Sequence, residues 1–227
     1  MKFKQYILLV AFTIGFVTKT HSQHKTYAIN NGFGIMAGIT LYDIKTDNFI
    51  TKQGQGFAGA LLATLDLPHK GYTVSYGMQL SENKIEISGR ALENVAGNEM
   101  LEYKLLAVQL GFIYHKKIFG DYFTIDFGPQ LQYNGKLELK DDTKKGYFIN
   151  GYDSLTANDI EKISHFNVNG MVGASVGIGS IKVKAQYIYG FLNILDKLND
   201  KNLDVGNNTE KFKGNQSMLV FAVMFSF

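Results

Sequence analysis

The chain has 227 residues and among them no cysteine, no tryptophan and only two prolines. The missing cysteines exclude a disulfide framework and any thiolate metal site, but they leave the compartment open, since exported proteins also do without them. A helical membrane span is absent too: crossing a bilayer takes about 20 apolar residues, and the apolar run at residues 6–17 stops at 12. Charge of one sign is likewise missing. The formal net charge of +3 comes from Lys2, Lys4 and Lys19, because residues 1–22 hold no acid and the remaining cations and acids balance at 20 each. Nothing in that balance argues for a nucleic-acid partner.

The first residues have a different purpose. Lys2 and Lys4, the apolar run 6–17 and the small-residue site Thr20-His21-Ser22 together read as a cleaved secretory signal over residues 1–22, with Gln23 as the mature N-terminus. Residues 23–227 then form one domain of ordinary size.

What the chain has in quantity is glycine (24), phenylalanine (17) and tyrosine (13). They are arranged with a period of two, the mark of strands with unlike faces. Residues 32–42 set Phe33, Ile35, Ala37, Ile39 and Leu41 against Gly34, Met36, Gly38, Thr40 and Tyr42. Residues 72–80 set Tyr72, Val74, Tyr76, Met78 and Leu80 against Thr73, Ser75, Gly77 and Gln79. The pattern recurs at 57–67, 104–114, 122–134, 165–178, 181–192 and 217–227, giving eight strands. Short turns (68–71, 115–121, 179–180) alternate with long polar loops, as in an up-and-down meander. Short turns on one side and long loops on the other characterise membrane barrels.

Volume decides which face points outward. An eight-stranded barrel has an interior just wide enough for side chains, so Phe, Tyr, Leu and Ile go outside while Gly34, Gly38, Gly77, Gly111, Gly128, Gly173, Gly177 and Gly190 go inside. Such an exterior would aggregate in water and is required in lipid. Tyr72, Tyr114, Tyr122, Phe123, Phe166, Tyr189 and Phe227 fall at interfacial girdle positions. The expected fold is all-β, an eight-stranded antiparallel up-and-down transmembrane β-barrel of the outer membrane.

Three stretches, "FGPQLQY" (residues 127–133), "GMVGASVGIG" (170–179) and "YIYGFLNI" (187–194), resemble the Bacteroidetes-type outer-membrane β-barrel family, labelled porin-family or PorT-like, and more distantly the small OmpX-like barrels. The last stretch is similar to the family's Tyr-x-x-Gly-Leu-x-Asn-Ile ending, with Phe191 in place of the Leu. The fourth strand lacks the proline that members often carry. The resemblance implies a barrel and no particular activity. The terminal Phe227 resembles the C-terminal aromatic signal read by outer-membrane assembly machinery.

Candidate lumen groups are Asp66, Lys104, Asp126, Gln130, Lys182, Lys184 and Gln186, expected to pair with one another because buried charges must. A narrow polar conduit is the alternative use of the same groups. A third reading, a lipid-modifying barrel enzyme, needs a nucleophile, a base and an acid; only His165 is placed near the outer rim, with Ser164 and Glu161 beside it. His69 and His115 are assigned to periplasmic turns. No cofactor is implied. Asp200, Asn202 and Asp204 have oxygens at alternate positions, but Gly206 is one place late for a calcium loop and Lys211 stands where a bidentate Glu belongs. The second and third loops are acidic: residues 82–102 hold five acids against two cations, and 141–163 hold five against three. Expected partners are outer-membrane lipid and lipopolysaccharide, the assembly machinery, and an extracellular or envelope protein bound through the loops. The favoured function is non-enzymatic scaffolding of those loops.

Overall fold

A computed structural model describes residues 29–93, 97–201, 203–205 and 210–227; the expected signal segment lies outside them. Among the described residues nine strands follow in chain order: β1 (Asn30–Lys45), β2 (Thr51–Asp66), β3 (Tyr72–Arg90), β4 (Glu99–Phe119), β5 (Phe123–Leu139), β6 (Phe148–Ile149), β7 (Phe166–Ile178), β8 (Ile181–Gly190) and β9 (Asn215–Ser226). Eight of them pair antiparallel in a ring that closes through β1 and β9, and β6 adds two residues to the end of β3. At the seam Phe33 and Phe227 exchange backbone hydrogen bonds of 3.1 and 2.8 Å. The closing strand therefore has no free edge, the feature that makes an apolar terminal strand hazardous elsewhere.

The strands run further than the expected boundaries. β3 has 19 residues and β4 has 21, and at about 3.4 Å per residue each is far longer than the ~25 Å lipid-facing band of a barrel. Residues 82–102, expected as an acidic loop, are therefore mostly a continued hairpin, with Lys84 opposite Lys104 and Glu86 opposite Glu102. The first connection likewise shrinks to residues 46–50.

Outward on the turn half stand Phe33, Ile35, Leu61, Tyr76, Met78, Leu110, Phe112, Ile125, Val172, Val183 and Phe225, all exposed. No folded surface in water carries such a belt, whereas a closed barrel in lipid has no other choice. Aromatic rings cluster at the lower boundary, with Tyr72 on Tyr114 at 4.8 Å, Tyr114 on Phe127 at 5.0 Å and Phe33 on Phe227 at 6.4 Å. A belted barrel of this kind is an outer-membrane protein. Inside the belt the wall is thin: a Cβ built on Gly77 would lie 2.8 Å from the Leu62 Cα, so only glycine allows the strands that approach.

Candidate functional site: the lumen and its extracellular cap

The lumen is filled in tiers. At the turn end, Lys117 bridges Asp66 and Asp121, at 2.7 Å each, and Thr73 donates to Asp66 at 2.8 Å. One level in, Asp126 is fully enclosed and accepts from four donors: the His115 Nδ1 at 2.7 Å, the Thr124 hydroxyl at 2.6 Å, the Ser175 hydroxyl, and the Lys184 ammonium at 3.2 Å. Four donors for two carboxylate oxygens is the full satisfaction that a buried charge demands.

Above this lies an amide tier. Gln79 donates to Gln109 at 2.6 Å, Gln109 to Gln132 at 2.7 Å, and Asn169 to Gln132 at 2.7 Å, while Gln216 bonds both Gln132 and Asn169 at 2.8 Å. Five strands are thereby cross-linked through the bore. Gln130 and Gln186 are buried beside this tier and face a void of about 10 Å³.

Of the sequence candidates, the structure brings Asp126 and Lys184 into contact and places Asp66 at the mouth beside Lys182, which lines the same vestibule of about 590 Å³. Lys104 belongs elsewhere. It shares the even-numbered, outward face of β4 with Leu106 and Leu110 and pairs with Glu82 at 3.5 Å on the exterior. A lysine there is tolerated because the lipid belt has already ended.

His115 is a second residue that the sequence reading misplaced. β4 continues to Phe119, so His115 keeps the inward phase of Gln109, Gly111 and Ile113 and is buried. Its Nε2 meets the Ser75 hydroxyl at 2.7 Å while Nδ1 faces Asp126, so a Ser, a His and an Asp stand in the order of a nucleophilic relay. The carboxylate only accepts, which puts the ring proton on Nδ1. Two facts work against chemistry there. Ser75 is 2% exposed and the cavity beside it measures about 30 Å³, which is room for about one water and no acyl group. Asp126 is also already neutralised by Lys184. In this geometry each of the three buried groups has a partner.

The rim set around His165 does not assemble. The His165 ring nitrogen bonds the Asn134 carbonyl at 2.8 Å and the ring stacks on Tyr133, Ser164 offers its backbone carbonyl to Asn134, and Glu161 pairs with Lys136 at 3.6 Å. Of the weak cation candidates, Asn202 lies outside the described residues, and Asp200 closes the helical turn Asp196–Asn199. Among the described residues no three His, Cys, Asp or Glu side chains gather as a metal site.

At the loop end the faces exchange character. Inward-pointing Ile85, Ile87, Leu101, Tyr103, Leu105, Leu137 and Leu139 are buried, while Glu82, Lys84, Glu86, Glu102, Glu138 and Lys140 point out. Residues 140–165, 191–201 and 210–214 fold over this opening and bury Leu155, Ile160, Ile163, Ile194, Leu195 and Leu198 in it. Phe49, Tyr152 and Phe212, one from each of three connections, pack with ring centroids 5.7–6.0 Å apart, Phe212 stacked on both of the others. Arg90 holds the cap from the side, donating to the Ile149 and Tyr152 carbonyls at 3.2 and 2.7 Å with its guanidinium over Phe148. Lys201 donates to the Asp159 carbonyl at 2.9 Å and the Tyr103 hydroxyl to the Ala157 carbonyl at 3.1 Å. Burial pushes the Tyr152 phenol up and the Lys201 ammonium down from their ordinary values. Tyr152 thus stays a neutral phenol that accepts from Asn48 at 3.3 Å.

No protein-family model and no curated protein matches the chain. In shape it is similar to Neisserial surface protein A, with 13% identity, a TM-score of 0.47, and coverage of 86% of this chain and 97% of that one. It is also similar to Ail, the attachment invasion locus protein of Yersinia pestis, with 10% identity, a TM-score of 0.46, and coverage of 87% and 99%.

Proposed function

We propose that this outer-membrane barrel neither conducts nor catalyses, and that it holds an ordered extracellular cap in place as a surface for a binding partner in the envelope or outside the cell. The observation that supports this reading most is the exchange of faces along each strand. Nearly half of β3 and β4 is spent outside the lipid band on a water-facing domain with its own apolar core, an investment that a bare pore or a membrane-buried enzyme has no use for. The amide tier and the apolar plug stand in series across the bore, against conduction, and the Ser75–His115–Asp126 chain has no space for a substrate.

We further read the chain as a member of the Bacteroidetes-type, PorT-like barrels on the motifs now found in β5, in β7 and at the end of β8. We also read Phe227, which pairs with Phe33 at the seam, as the aromatic signal for the assembly machinery.

Refolded protein in planar bilayers is expected to give no unitary steps above baseline, and lipid A from cells with and without the chain is expected to give the same mass spectrum. A partner captured by the intact barrel should be lost when residues 140–165 are clipped. Conductance steps or a changed lipid A would overturn the proposal, as would a partner that is retained after clipping.

A further inference from the structure

The turn-end vestibule of about 590 Å³ narrows inward to the enclosed chamber of about 30 Å³ beside Ser75, and Thr64, Thr73, Asp121, Lys182 and Met224 line both. A solute small enough for the chamber can therefore reach it from the turn end. Lys182 and Lys184 keep the inward phase of β8, and both line the chamber. The Lys182 stem lies against Gly177, where an added Cβ would stand 2.6 Å from the Lys182 Cγ. Two ammonium groups thus face one space of atomic size.

Hydrogen-bond donors are in excess around that space. An ammonium carries three N–H groups. Lys184 is 2% exposed and meets Asp126 at 3.2 Å; among the described residues it has no second acceptor. Among the same residues no carboxylate pairs with Lys182, and the Thr64 hydroxyl makes no hydrogen bond. The nearby acceptors are already taken. Asp126 has its four donors. Asp66 and Asp121 are both held by Lys117 at 2.7 Å and stand toward the solvent, with 27% and 73% of their side chains exposed. Unspent N–H groups on a buried ammonium are costly, and a ligand that only accepts removes that cost. Water brings two hydrogens that need acceptors of their own, whereas a halide brings none. The chamber holds about one water, which admits a halide and excludes a tetrahedral oxyanion.

We infer that the chamber is a binding site for a monatomic anion, chloride being the abundant one, held by Lys182, Lys184 and the Thr64 hydroxyl. The anion gives Lys182 the counter-charge that Asp66 and Asp121 direct to Lys117. The site is a dead end below the amide tier, and it stands apart from the cap proposed above as the partner surface.

The test is the chlorine-35 NMR line width of sodium chloride with the folded barrel in a non-ionic detergent. The parent should broaden the line, sodium bromide should reverse the broadening, and sodium gluconate at the same concentration should not. Lys182→Met removes a charged donor and should weaken binding roughly tenfold or more, whereas Lys116→Met, a lysine on the outward face of β4 at the same end, should change nothing. Bromide-soaked crystals locate the site: the parent should show an anomalous peak between Lys182 and Lys184 that Lys182→Met lacks. If Lys182→Met does not fold, Lys182→Gln, which keeps a polar tip in the chamber, takes its place. Equal broadening by the parent and the Lys182 variant would overturn the site, as would bromide peaks lying only outside the chamber, which is then filled by water alone.

Discussion

Below Leu80 a strand such as β3 turns Tyr76 and Met78 outward and Ser75 and Gln79 inward; above it the same strand turns Lys84 and Glu86 outward and Ile85 and Ile87 inward. The backbone geometry is the same in the two halves, and only the solvent outside has changed. In lipid the wall must be apolar, and the leftover polar groups have to satisfy one another inside. In water the hydrophobic effect restores the usual order and builds a core. One barrel therefore obeys two opposite burial rules along a single strand, and the height of the exchange marks the water boundary.

The sharpest way to break the membrane half is from inside. Asp126→Ala leaves the Lys184 ammonium, 2% exposed, without its carboxylate, and breaking a buried pair in this way costs about 3–5 kcal/mol. Urea unfolding of the barrel in lipid vesicles should show the loss, and Asp126→Ala/Lys184→Met should recover most of it. Next comes the outer wall. Leu110→Arg places a charge in the belt at a cost of about 2–4 kcal/mol near the midplane. The reciprocal change, Lys84→Leu on the outer face of the cap half, should stay within about 0.5 kcal/mol. If these two substitutions shift unfolding equally, the exchange of faces does not follow the lipid boundary.

Much of this is legible in the sequence alone. Strand number, order, closure and facing followed from period-two alternation, because burial in a thin wall leaves no other pattern. The upper half was harder, since alternation was read there as if the outward residue were always the apolar one. "ENKIEI" (residues 82–87) alternates as regularly as the stretch before it, but with the phase of apolar and polar reversed, and so it looked like acidic loop. Lys104 was assigned to the lumen for the same reason: charge was equated with inside, although its even number places it with Leu106. His115 was lost to an early strand end, although counting inward positions from Gln109 recovers it. The cap contacts, such as Phe49 with Tyr152 and Phe212, join residues 60 to 163 positions apart, and no local pattern encodes a meeting at that separation.

Smaller effects probe the cap alone. Tyr103→Phe keeps the ring in the apolar core but removes the hydroxyl that donates to the Ala157 carbonyl at 3.1 Å. An unmet buried carbonyl costs about 1–3 kcal/mol, and here it should be paid locally: faster proteolysis within residues 140–165, with unchanged heat-modifiable migration of the barrel. If barrel migration changed too, the cap and the membrane half would be one cooperative unit.

Smallest of all is Lys52→Ala, which removes the exterior pair with Glu86 at 2.9 Å. The Lys52 side chain is 65% exposed, and a water-screened surface pair contributes about 0–1 kcal/mol. Denaturant midpoints of this variant and the parent should coincide within error at physiological salt. The same pair of charges moved down into the belt, Leu61→Lys with Met78→Glu on facing positions of β2 and β3, should fail to insert, since lipid neither screens the charges nor hydrates them. The contrast between those two experiments, one ion pair at two heights on the same two strands, isolates the outer solvent as the variable that sets which face is apolar.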